Sequence, residues 1–132
     1  MAKVLMERRL EELRLGDLIS VDSAGTFCNP LVRATNRARF AIQHACGMDL
    51  LADHHPKDIS DIRLNDFDLI LTMEERQKIG LPISKTFTIK EYAGARGDVA
   101  DPEGLPQEGY DACCGELMAL IDRVIEKIAI TL

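Results

Sequence analysis

The run Phe67-Asp68-Leu69-Ile70-Leu71-Thr72-Met73 is apolar almost throughout. That is the pattern of a β-strand covered on both faces, and such a strand calls for helices on either side of a parallel sheet. The flanking segments supply them. Upstream, Ala34, Ala38, Ala41, Ile42 and Ala45 fall on one helical face, closed by Gly47. Further upstream, residues 18–23 (Leu-Ile-Ser-Val-Asp-Ser) read as a short strand, and Ala2, Met6, Leu10 and Leu13 as the apolar stripe of an opening helix stopped by Gly16. Downstream, a short helix over residues 74–79 leads to a β-rich run, Lys85-Thr86-Phe87-Thr88-Ile89. Leu117, Leu120, Ile121, Val124, Ile125 and Ile128 mark a closing helix with an i, i+3, i+4, i+7 rhythm. Between them, residues 93–109 hold Gly94, Gly97, Pro102, Gly104 and Pro106 among Arg96, Asp98, Asp101 and Glu103. This is the longest irregular stretch and the natural seat of function. Helices alternating with buried strands imply right-handed βαβ units: an α/β fold, three-layer αβα with a short parallel sheet.

The chain has 132 residues, which makes one domain over residues 1–132 and leaves no room for a second. With 46% hydrophobic and 29% charged residues it has the composition of a globular protein, not of a disordered one. Sixteen Lys and Arg against 22 Asp and Glu give a net charge of −6, which argues against a nucleic-acid partner. No apolar run approaches the roughly 20 residues of a membrane span, and the start, Met1-Ala2-Lys3-Val4-Leu5-Met6-Glu7-Arg8-Arg9, is too charged for a signal peptide. Cys28, Cys46, Cys113 and Cys114 are scattered or adjacent, as reduced thiols are, and the expectation is a cytoplasmic protein.

The order of these segments resembles that of the low-molecular-weight protein phosphatases, a family of protein-tyrosine and bacterial protein-arginine phosphatases with arsenate reductases as relatives. Met1-Ala2-Lys3-Val4-Leu5 is similar to the helix after the family's phosphate loop. Val21-Asp22-Ser23-Ala24-Gly25-Thr26 resembles its Ser-Ala-Gly turn, and Asp53-His54-His55 stands where it keeps a His. Residues 67–73 resemble its third strand. Phe87-Thr88-Ile89-Lys90-Glu91-Tyr92, followed by Gly97-Asp98-Val99-Ala100-Asp101-Pro102, resembles its fourth strand and acid loop, and leans toward the arginine-phosphatase branch. The resemblance implies a hydrolase that cleaves phosphotyrosine or phosphoarginine in a phosphorylated protein through a phosphocysteine, with no cofactor and no metal.

The family opens with a strand and a loop in which an Arg follows the nucleophilic Cys after five intervening residues. Backbone N–H groups and the Arg fork hold the phosphate there and lower the thiol pKa. Nothing of that kind precedes Met1, and six positions after Cys28, Cys46, Cys113 and Cys114 stand Ala34, Ala52, Ala119 and Leu120. The expectation is therefore a chain that starts at an internal Met of a longer phosphatase, with no nucleophile and no turnover of its own. Its rival is a natural short paralogue that binds an anion or a protein without catalysis. An arsenate-reducing relative ranks third, since residues 71–81 contain no Cys. By analogy with the family, the absent strand lies inside the sheet. Its absence predicts a central slot with unpaired backbone groups, in a chain that is destabilised or closes the slot by moving strands together or by self-association with another copy.

Asp101 carries the chemistry that remains. In the family, the Asp of Asp-Pro protonates the leaving group and then activates water. Pro102 biases Asp101 toward an extended backbone and so supports the aim of its carboxyl; read alone, Asp-Pro is simply a turn starter. Glu103 falls where the family commonly places Tyr or Phe as a substrate-pocket wall. A carboxylate there suits a guanidinium, and its plain reading is a solvated loop charge. Ser23 either supports the phosphate loop or caps its own strand. His54 either buttresses the same region or sits at the surface. With His55 and Asp53 it makes a poor metal site, because adjacent ligands lack a distant partner. Tyr92 and Tyr110 are open between pocket-mouth residues and modification targets.

Overall fold

The computed structural model describes residues 1–26, 31 and 33–132; Cys28, Asn29 and Pro30 lie outside the described residues. Four helices, α1 (Ala2–Glu12), α2 (Asn36–Cys46), α3 (Ile89–Tyr92) and α4 (Gln107–Thr131), accompany two strands, β1 (Ile70–Thr72) and β2 (Thr86–Thr88). The strands pair in parallel with Ile70 opposite Thr86, Leu71 opposite Phe87 and Thr72 opposite Thr88. The fold is α/β with a small parallel sheet.

The helices form where the apolar spacing puts them. α4 buries Leu117, Leu120, Ile121, Val124 and Ile125, together with Tyr110 and Cys114, and packs against α1 and α2. α2 answers with Ala41 and Ile42, and α1 with Leu5 and Leu10. The Thr35 hydroxyl caps α2 by accepting from Ala38 N–H at 3.2 Å, and Gly47 closes it at φ 75°. Ala45 is exposed rather than buried.

α1 ends differently from its expected form. Leu13 is 42% exposed, and the stop is Arg14, at φ 59°, rather than Gly16. Leu15 N–H donates to Leu10 C=O at 2.8 Å and Arg14 N–H to Glu11 C=O at 3.0 Å. These two bonds are those of a Schellman cap, which needs a left-handed residue at Arg14, two residues before Gly16.

Both strands are shorter than their apolar runs, because side chains take the backbone over at the ends. Gln77 Oε1 accepts from Met73 N–H and Glu74 N–H at 3.1 and 3.0 Å, turning the chain into the 3-10 helix Glu75–Lys78. Thr88 and Glu91 form a capping box, with Thr88 Oγ1 accepting from Glu91 N–H and Glu91 Oε1 accepting from Thr88 N–H. Ile89 therefore starts α3 rather than extending β2.

Residues 18–23 are a correction: they form no strand. Leu18 and Ile19 N–H turn back to Leu15 C=O at 3.0 and 3.1 Å. Residues 20–24 then run on without a backbone–backbone hydrogen bond among the described residues. Only at Gly25 does pairing begin, as a single parallel bridge to Asp58. A strand exists by virtue of its neighbour, and what lies between residues 20–24 and β1 is a cleft of about 1630 Å³. Across this cleft residues 20–24 and β1 do not pair.

Candidate functional site

The cleft runs along residues 18–26 and 69–74, with the start of α1 and the loop after α3 on its walls. Its position follows from the fold. Polar loops gather where parallel strands end and helices begin, and there ligands of α/β sheets bind. Ser23, His54, Asp101, Pro102 and Glu103 all line it, so the residues singled out in the sequence come to one place.

Asp101 is exposed on a loop that is tied down from both sides. Val99 is buried, and its N–H donates to Met73 C=O at 2.8 Å, just past β1. Asp98 Oδ1 accepts from Glu75 N–H at 2.9 Å, fastening the loop to the start of the neighbouring 3-10 helix. Beyond Asp101, Pro102 is buried while Glu103 is exposed. Leu105 N–H closes a turn onto Pro102 C=O at 2.9 Å, with Gly104 at φ 82°, a conformation Gly adopts without strain. Asp101 Oδ1 also accepts from Glu103 N–H at 3.0 Å. That bond restrains one carboxylate oxygen, and the other has no hydrogen-bond partner among the described residues.

On the opposite wall, Asp22 ties three segments together. Its carboxylate accepts from Lys57 Nζ at 2.8 Å, lies 3.6 Å from Lys3 Nζ, and accepts from Ser23 N–H at 2.8 Å. The Lys57 hydrogen bond, joined by the Ser23 N–H and the two ammonium charges, holds the Asp22 carboxyl below its usual range against the opposing effect of burial. Ser23 is thus fixed through its backbone, half-buried on the cleft wall. His54 is half-buried as well. Burial first, and then the positive charges of the chain's α-amine, Lys3 and His55, push its pKa below the ordinary value of 6.5 and favour a neutral imidazole.

Neither Cys113, on the cleft wall, nor Cys114, buried in the core, is poised as a nucleophile. Burial is the leading cause that pushes both Cys113 and Cys114 up from the usual thiol value, and a thiol so raised stays protonated at neutral pH. Among the described residues no cluster of three or more His, Cys, Asp or Glu could hold a metal. Of the two tyrosines, Tyr110 is buried on the cleft wall, whereas Tyr92 packs its ring 5.5 Å from Phe87 and carries Lys127 Nζ 4.2 Å above its face. Asp22 and Asp98 were not singled out by the sequence. Each lies inside a quoted motif, but its partners (Lys57 and Lys3, and the Glu75 N–H) are distant in the chain, and no local pattern announces them.

Helices packed about a short parallel sheet, with an Asp-Pro loop and a Ser-bearing segment on one cleft, define a scaffold of the phosphatase class. The family model for low molecular weight phosphotyrosine protein phosphatase matches residues 1–131. The chain belongs to that family, whose members are protein phosphatases and so hydrolases. A low molecular weight protein tyrosine phosphatase from T. tengcongensis superposes with a TM-score of 0.88 at 33% identity, over 96% of this chain and 88% of that one. The YwlE arginine phosphatase from Geobacillus stearothermophilus gives 0.84 at 30% identity, over 98% and 84%. A protein-arginine-phosphatase from Geobacillus stearothermophilus is 53% identical over 45 residues, 33% of this chain and 30% of that curated relative. Among the described residues no helix is long and apolar enough to cross a membrane.

Proposed function

We propose that these residues form the acid/base and substrate-facing part of a metal-independent protein phosphatase that acts on phosphotyrosine or phosphoarginine, with Asp101 as general acid and then general base. The observation that carries this reading is the loop after α3. A carboxylate on an exposed turn, anchored to the end of β1 through Val99 and to the following 3-10 helix through Asp98, is held at a cleft mouth with one oxygen free. Pro102 keeps that turn seated, Ser23 and His54 support the opposite wall, and Glu103 stands beside Asp101 where a guanidinium would be paired rather than repelled. The phosphorylated side chain of a protein is the substrate. The free thiols Cys46, Cys113 and Cys114 suit a reducing compartment, so the cytoplasm is the location that goes with this function.

Because no Cys in the sequence is followed six positions later by Arg, the 132-residue chain itself should leave p-nitrophenyl phosphate unhydrolysed. Joined to a strand and Cys-Arg phosphate loop of the family, it should hydrolyse both p-nitrophenyl phosphate and a phosphoarginine peptide. Asp101→Asn should then lower kcat for the poorer leaving group by about 10²–10⁴-fold, the usual worth of a positioned acid. Turnover by the bare chain that Asp101→Asn abolishes would mean another nucleophile and would overturn this account.

The alternative is a non-catalytic binder that holds an anion at the start of α1, where Met1, Ala2 and Lys3 line the cleft. Isothermal titration with phosphate separates the two. Binding without hydrolysis, in the joined as well as the bare chain, would favour the binder.

A further inference from the structure

We propose that the outward face of α2 is a docking surface for an acidic segment of a partner protein, an extended stretch with a carboxylate on either side of one apolar side chain. The proposal does not rest on the phosphatase reading. Between Asp22 and Asp49 the sequence holds Arg33, Arg37 and Arg39 and no Asp or Glu, so all 22 acidic residues of a chain with net charge −6 lie outside this stretch. Of the three arginines only Arg39 meets a carboxylate, that of Asp49. Arg33 Nη1 donates to Ala52 C=O at 3.4 Å, and Arg37 Nη1 to Leu105 C=O at 2.6 Å. A carbonyl orients a guanidinium without neutralising its charge, and among the described residues neither arginine has an ion-pair partner. Arg37 also stands in the first turn of α2, which holds no acidic residue. A cation there opposes the helix dipole, and a carboxylate brought beside it relieves that conflict.

Arg37, Phe40 and His44 are spaced i, i+3 and i+7, share one side of α2, and are all exposed. Phe40, at 54%, is the only exposed Phe or Tyr among the described residues. Its ring stacks on that of His44, with centroids 6.3 Å apart and planes 4° from parallel. The two rings make a flat apolar platform with Arg37 at one end, and aromatic rings with arginines are what protein interfaces gather at their centres. Spacing selects the occupant. Arg37 to His44 spans about 10 Å along the helix, and alternate side chains of an extended segment stand about 6.6 Å apart. Glu, an apolar residue and Glu at alternate positions therefore set the apolar side chain over Phe40, one carboxylate beside Arg37 and the other beside a His44 ring N–H. Nucleic acid is the poorer occupant: two guanidiniums without ion pairs are few against a run of phosphates, and the rest of the chain carries every carboxylate side chain.

The test uses the intact 132-residue protein and a synthetic peptide, acetyl-Glu-Glu-Ser-Phe-Ser-Glu-Glu-amide, titrated at low salt while the protein's backbone amides are followed by NMR. The amides of Arg37, Phe40 and His44 should shift together and saturate, with Leu105 following through its bond to Arg37. Phe40→Ala should weaken binding by about tenfold, and Arg33→Gln by about three- to tenfold. Arg63→Gln makes the same charge change at an exposed arginine that faces Asp66, and should leave binding unaltered. Lys in place of the four Glu should abolish the shifts, and about 0.3 M NaCl should weaken them. No shifts, shifts that never saturate, or shifts spread over the whole surface would overturn the proposal. So would equal binding of the Lys peptide, or an equal loss from Arg63→Gln. Oligothymidylate bound at the same amides as tightly as the peptide would reassign the face to nucleic acid, and shifts that grow with protein concentration alone would reassign it to a second copy; either result overturns the acidic protein segment as its occupant.

Discussion

Arg14 holds a φ of 59°, the only positive φ outside glycine among the described residues, because the cap of α1 demands a left-handed residue there. A side chain in that conformation costs about 1 kcal/mol, and Arg14→Gly should raise stability by about that amount, read as a higher urea midpoint at unchanged slope. No period or propensity marks such a position, so the sequence offers Gly16 as the stop where geometry uses Arg14. Chemistry is more legible at this scale when a short motif carries it: Asp101-Pro102 could be found by eye, and it does lie on the cleft. The Asp98 tether could not, since its partner is a backbone N–H 23 residues away. His54 leads to a pH prediction. Its folded pKa is lowered by burial, so the native state resists the proton that the unfolded chain accepts near 6.5. The neutral side chain imposes no penalty above that value, and stability falls as the pH drops below it. Urea unfolding at pH 7.5 and 5.5 should show a loss that His54→Gln reduces; an equal loss in the variant would place the titrating group elsewhere.

At the scale of elements, α4 gives the cleanest test of what a helix needs from its surroundings. Gly115 has open space where a Cβ would go, and Gly115→Ala should stabilise by about 0.8–1 kcal/mol through helix propensity alone. Gly109 lies in the first turn of the same helix, yet a Cβ there would sit 2.6 Å from Leu105 Cβ. That atom is fixed by the turn that Leu105 N–H closes on Pro102, so Gly109→Ala should destabilise despite the same propensity gain and should disturb the Asp101 loop as well. Circular dichroism melts of the two variants should move in opposite directions. The contrast also explains which elements the sequence makes legible. A helix satisfies its own backbone, so the spacing of Leu117, Leu120, Ile121, Val124 and Ile125 is enough to find it. A strand depends on a neighbour that its own residues do not specify. Residues 18–23 have strand composition and form none, while residues 67–73 shrink to Ile70–Thr72 once Gln77 claims the next two amides.

For the whole molecule, these differences add up to an uneven distribution of stability. Among the described residues the buried apolar side chains concentrate in α1, α2 and α4, and only Leu51, Ile89, Val99 and Pro102 join them from elsewhere. The sheet contributes threonines: Thr72, Thr86 and Thr88 are buried with hydroxyls spent on Glu74 C=O, Pro82 C=O and Glu91 N–H. Hydrophobic burial scales with apolar area, so the helical layer carries most of the folding free energy and the sheet side little of it. Native-state hydrogen exchange should then divide the chain. Amides from Leu117 to Ile125 should open only with global unfolding, whereas Val21, Asp22 and Ala24 should exchange with almost no protection, having no acceptor. Ile42→Ala, removing a fully buried side chain of α2, should cost about 2–5 kcal/mol and lower the protection of α4 by the same amount. The exchange of residues 20–24 should not change, because their opening is already free. If those amides were instead protected and fell in step with α4, the cleft wall would be part of the cooperative core, and a site that holds Ser23 and His54 opposite Asp101 would be rigid before any ligand arrives.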